Sequence, residues 1–144
     1  MKTIKKTTET LRVELALKAL KNGEFVILTD DEDRENEGDL VLAAEFVSAE
    51  KINFLAKHAR GLICLAMEEK MIDRLELPMM NSSRSRNSKR ETAFTVSIEA
   101  RDGVSTGISA KDRATTISVA IDDKTKPSDI LCLLYTSPSP RDRG

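Results

Sequence analysis

The clearest pattern lies near the start of the chain. Val13, Ala16, Leu17 and Leu20 recur at helical spacing and predict a first helix with one apolar stripe. Thr8 is placed to cap its start, with Glu9 near the positive end. Gly23 is placed to end it in the left-handed conformation. Phe25 to Leu28 predicts a short buried strand, and Leu40 to Ala44, apolar without alternation, predicts a strand covered on both faces. Ser48 should cap a second helix with Ile52, Leu55, Ala56 and Ala59 inward, closed by Gly61, and Leu62 to Leu65 predicts a third buried strand. A short helix around Met71, Ile72 and Leu75 should stop at Pro78. Phe94, Val96 and Ile98 alternate with Thr95, Ser97 and Glu99, as a half-buried strand requires, and Asp102-Gly103 signals a turn. Ser109 should cap a last helix that turns Ala114, Ile117 and Ile121 inward.

Helices alternating with buried strands imply a sheet covered by helices, and the strand over 93–99 implies some antiparallel pairing. The expected class is α/β of the α+β type: three layers, with a mixed β-sheet flanked by helices and incomplete at the C-terminal end. Residues 81–92 show no apolar periodicity and read as an exposed loop. The stretch from Leu131 to Gly144, with its prolines and arginines, does not continue the pattern. The expectation is therefore one domain over residues 1–130 and a non-native tail over 131–144.

Composition narrows the picture. Hydrophobic residues at 40% and charged residues at 33% suit a globular protein, while aromatics at 3% force an aliphatic core. No apolar run spans a bilayer and the basic N-terminus lacks an apolar signal core, so the expected setting is cytoplasmic, with no membrane partner. Cys64 and Cys132 form no CxxC pair, which leaves no case for zinc or a disulfide framework; Cys64 reads as a small core residue. A net charge of −1 offers no basic surplus, and the cluster from Arg84 to Arg90 lacks interleaved aromatics, so no nucleic-acid partner is expected.

That net charge conceals an acidic run, Asp30-Asp31-Glu32-Asp33-Arg34-Glu35-Asn36-Glu37-Gly38-Asp39, wedged between two apolar strands. Like charges this dense repel unless something balances them. A hard divalent cation does so, since magnesium prefers a few carboxylates plus substrate oxygens. Arg34 inside the cluster would pair with an acid or clamp a substrate oxygen. A solvated turn is the bland alternative; tight flanking by strands weighs against it, as does Gly38, expected where the backbone approaches something closely. A calcium loop fails downstream, because its twelfth position is Ala44 and its exit is strand-like. A non-catalytic acidic divalent-metal-binding module remains the alternative function.

The acidic run resembles the signature of the 3,4-dihydroxy-2-butanone-4-phosphate synthases. Leu77-Pro78-Met79-Met80, Thr92 to Ala100, Ser105 to Thr116 and Lys126-Pro127-Ser128-Asp129 resemble the same family in the same order. The likeness covers roughly residues 8 to 130. It implies a lyase of riboflavin biosynthesis that converts D-ribulose 5-phosphate to 3,4-dihydroxy-2-butanone 4-phosphate and formate, with Mg2+ or Mn2+, as a homodimer.

Carried over by position, the resemblance makes Glu35 a magnesium ligand in contact with substrate, Arg34 and Asp39 substrate contacts, and Glu37 a catalytic acid–base group or a carboxylate of the second metal shell. Thr106 and Ser109, ahead of the last helix, become substrate-binding candidates, because small and hydroxyl residues at a helix start suit an anion; simple capping by Ser109 is the equal alternative. The family continues past Lys-Pro-Ser-Asp with a Pro-Gly-His stretch, an Arg-x-Gly-His-Thr-Glu stretch and a later glutamate. Residues 131–144 contain none of these, and His58, on another element, does not replace them. The expectation is a C-terminally truncated synthase whose 144-residue chain has little or no activity.

Overall fold

The computed structural model describes residues 8–33, 36–80 and 94–133. The chain divides into two compact units, Met1–Leu65 and Ala66–Gly144.

In the first unit, helix α1 spans Thr8–Lys21. It ends as its glycine predicts: Gly23 takes φ +72°, and the Glu24 amide donates back to the Ala19 carbonyl at 2.9 Å. A side chain at 23 is doubly excluded, because a Cβ there would lie 2.8 Å from the Phe46 ring. Lys51 ties the same corner from the other side. Its Nζ donates to the Gly23 carbonyl at 2.8 Å and sits 5.6 Å from the Phe46 ring centroid. The expected stripe on α1 is only partly used: Ala16 and Leu20 are half-buried, while Val13 and Leu17 stay 59% and 52% exposed.

Strands β1 (Val26–Thr29) and β2 (Gly38–Val41) form an antiparallel hairpin with Val26 opposite Val41 and Thr29 opposite Gly38. A 3-10 turn over Ala44–Phe46 leads to helix α2, Ala49–Phe54, whose start is capped by Ser48 Oγ accepting the Lys51 amide. Ile52 is the buried residue of this helix, as its inward position requires. One π turn follows over Leu55–Ala59; Phe54, just before it, stacks on Phe25 and meets the His58 ring at a tilt. Arg60, and not Gly61, takes the left-handed position at the end, with φ 59°. The third buried strand does not form: residues 62–65 have no ladder, Leu62 is 84% exposed, and Cys64 is exposed. An apolar run becomes a strand only when a neighbour takes its backbone hydrogen bonds, and none of the described strands pairs with this one.

In the second unit, helix α3 spans Glu69–Arg74 and delivers Leu75 and Leu77 to a small core with Ala100, Ala114, Ala120 and Ile130. The extended chain after it bridges Met79 to Thr95. Strand β3 (Ser97–Ala100) pairs antiparallel with β4 (Ile130–Leu133), so Leu131 to Leu133, expected outside the domain's pattern, complete a ladder. Helix α4, Ala110–Ile121, lies along this pair; its Thr116 Oγ1 accepts the buried Ala100 amide at 3.1 Å. Arg74 closes the far end of α4 by donating to the carbonyls of Asp122 and Thr125.

The α+β class holds. Its described strands pair antiparallel in two two-stranded sheets, with no parallel neighbour among them. Among the described residues no helix is long and apolar enough to cross a membrane.

Candidate functional site

Two segments carry the candidate chemistry, one in each unit. The first is the acidic loop at the tip of the β1–β2 hairpin. Beyond Thr29 and Gly38 the two arms stay linked: the Asp30 amide donates to the Glu37 carbonyl at 3.3 Å, and the Glu37 amide donates to Asp30 Oδ1 at 2.8 Å. One carboxylate of the run thus fastens the base of the loop. Asn36 turns the chain with φ 53°, a conformation asparagine tolerates better than most residues.

Glu37 and Asp39 are both exposed, two residues apart on the outgoing arm, and Asp39 lies opposite Leu28 in the ladder. Arg34 and Glu35 lie outside the described residues, as does the basic loop of residues 81–92. Gly38 differs from expectation. A Cβ there would meet Ile27 and Thr29 methyls at 3.7 and 3.8 Å, ordinary contact, so no protein atom approaches this strand residue closely.

The donor set of this loop is all carboxylate, which suits magnesium or manganese in preference to soft metals. Among the described residues, however, no three such groups converge as a metal cage.

The second segment is the turn ahead of α4. Ser109 Oγ accepts the Asp112 amide at 3.0 Å, so Ser109 is the helix cap. The Asp112 side chain folds back over the same helix end. Its Oδ2 accepts from Ser105 Oγ at 3.0 Å, the Thr106 amide at 3.2 Å and the Gly107 amide at 3.1 Å. Burial pushes this carboxyl up, but the Ser105 and Ser109 hydroxyls and neighbouring backbone amides more than offset that and hold it below the ordinary aspartate range.

The Thr106 and Gly107 amides of the turn ahead of the helix are therefore engaged by an internal anion. Thr106 remains exposed at the crest of the turn, while Ser109 is spent on capping. Sequence reading did not single out Asp112; the Ser109-x-x-Asp112 spacing, a capping-box pattern, is the signal that marks it.

The chain's likenesses agree with one another. The family model for 3,4-dihydroxy-2-butanone 4-phosphate synthase matches residues 14–132. The synthase of Neisseria meningitidis serogroup B is 55% identical over 112 residues, covering 78% of this chain and 30% of the relative. That of Serratia proteamaculans is 51% identical over 119 residues, covering 83% of this chain and 54% of the relative.

A crystal structure of a 3,4-dihydroxy-2-butanone 4-phosphate synthase in complex with two magnesium ions superposes with a TM-score of 0.78 at 39% identity, covering 83% of this chain and 55% of that one. The two-domain synthase from A. baumannii gives a TM-score of 0.77 at 44% identity, covering 84% and 35%. The chain thus spans about a third to a half of the length of these relatives. On a match that runs from within α1 to within β4, this chain belongs to the 3,4-dihydroxy-2-butanone 4-phosphate synthase family.

Proposed function

We propose that residues 1–130 supply the acidic-loop part of an active site that converts D-ribulose 5-phosphate to 3,4-dihydroxy-2-butanone 4-phosphate and formate, and that residues 131–144 take no part in it. The observation that carries this reading is the family match together with a carboxylate-dense loop fastened by Asp30 at the tip of a hairpin. The reaction begins with proton removal next to the substrate ketone, followed by loss of water, a skeletal shift that leaves one carbon as an aldehyde, addition of water to that aldehyde and its release as formate. Enolisation needs a base and a positive charge beside the developing oxyanion.

In this reading Glu37 moves the proton. Arg34 and Asp39 orient the sugar hydroxyls. Glu35 holds the metal and, through it, contacts the substrate. Magnesium, when bound, would supply the charge at the oxyanion and align vicinal oxygens, and manganese fits the same hard donor set. Thr106 offers its exposed hydroxyl to the substrate, with Ser109 shaping the turn beneath it. For the whole protein we also propose a cytoplasmic setting and a homodimeric state.

Formate release decides the proposal. The 144-residue chain alone should give little or none, because the histidine-bearing stretches of the family are not in it. Residues 1–130 joined to the remaining segment of the Serratia proteamaculans relative should restore magnesium-dependent release from ribulose 5-phosphate. In that protein Glu37→Gln should lower kcat by about 10² or more. A joined protein that folds and binds magnesium yet releases no formate would refute the assignment.

A further inference from the structure

A buried acid that reaches out of its helix to hold a neighbouring turn does more than cap. Asp112 is 3% exposed and stands in the first turn of α4. Its own amide donates to Ser109 Oγ, while its carboxylate reaches past the helix start. One oxygen instead gathers three donors from Ser105, Thr106 and Gly107. The turn is confined from the other side too. Gly107 sits at φ +73°, and the Glu99 carboxylate lies where a Cβ on residue 107 would be. A side chain at 107 would be strained by that φ and would push the Glu99 carboxylate aside. What this clamp leaves outside is the Thr106 side chain.

We propose that Asp112 is a positioning residue: it fixes the backbone of Ser105 to Gly107 so that the Thr106 hydroxyl is held out in one direction. The functional part of this inference rests on the reading of Thr106 as a substrate contact. Asp112 itself does not touch substrate. Its charge-assisted bonds go to the turn ahead of the helix.

Amide exchange followed by NMR on the 144-residue chain tests the clamp. Asp112→Asn keeps the shape of the side chain and removes the charge; exchange at Thr106 and Gly107 should rise about tenfold or more, with Val119 and Ala120 changed less than about twofold. Ser109→Ala removes the helix cap and one hydroxyl beside the carboxylate but keeps its charge, so it should speed the first turn of α4 more than Thr106 and Gly107. If both variants loosen the same amides equally, Asp112 is only part of the cap and the proposal falls. Should Asp112→Asn not fold, Ser105→Ala removes one of the three donors without touching the cap. It should speed Thr106 and Gly107 by a smaller factor, and unchanged rates there would overturn the clamp.

Titration of the wild-type chain with ribulose 5-phosphate and magnesium separates the two claims. A shift at Thr106 that is lost in Asp112→Asn, with α4 intact, supports both. No shift in the wild type counts against Thr106 as a substrate contact, and the exchange result still decides the clamp.

Discussion

Asp30 Oδ1 accepts the Glu37 amide at 2.8 Å, so one acid of the charged loop holds in place the arm that carries another. Asp30→Ala should therefore release the base of the loop while leaving the β1–β2 ladder paired. The expected cost is about 1 kcal/mol or less, as for a solvent-exposed hydrogen bond. Faster amide exchange at Glu37 with little change at Leu40 and Val41 is the signature to measure.

Glu35→Gln should weaken magnesium binding by about tenfold or more, since a neutral amide replaces the expected carboxylate ligand. Calorimetric titration of the chain reads this directly. Equal affinity in the two proteins would remove Glu35 from the metal site.

The carboxyl of Asp112 gives stability a definite pH dependence. Its folded pKa lies below the unfolded value, so its contribution is complete above the ordinary aspartate range and disappears as pH falls through the folded pKa. The thermal midpoint of the wild type should exceed that of Asp112→Asn near pH 6. That difference should shrink as the pH is taken down to about 3. A constant gap across the range would contradict the assignment.

Left-handed backbone makes two opposite predictions. Arg60 holds φ 59° on the exposed end of the π turn, so Arg60→Gly should be neutral or stabilising by up to about 1 kcal/mol. Gly107→Ala places a methyl at φ +73° against the Glu99 carboxylate and should cost about 1–2 kcal/mol or more. Urea midpoints of the two variants should move in opposite directions or, at the least, differ clearly.

Both cysteines are exposed, so Cys64 and Cys132 should each react with a thiol reagent in the native chain, without denaturant. Slow reaction at Cys64 would restore it to a core.

The elements that were legible in the sequence are those whose ends are written locally. Ser48 and Ser109 cap the helices they precede, Gly23 ends α1, and the turn at Asp102-Gly103 falls where its residues ask. The acidic loop was legible because so much like charge between two apolar strands is costly without a purpose. Pairing was not legible. Leu62 to Leu65 has the composition of a buried strand, but whether a neighbour's backbone meets it is decided far away in sequence. Gly38 misled for a similar reason: a glycine signals either close approach or mere tolerance, and only the surrounding atoms tell which. Asp112 was concealed by its surroundings, since an acid in the first turn of a helix is ordinary until it is seen to be buried.

The corner built from Gly23, Phe46 and Lys51 has an evolutionary corollary. With the ring of residue 46 filling the space beside residue 23, the two positions cannot drift separately. A lineage that acquires a side chain at 23 must first shrink the aromatic at 46, and would then lose the π-face on which the lysine ammonium rests. In an alignment of chains sharing this joint, glycine at the one site and an aromatic at the other should travel as a pair.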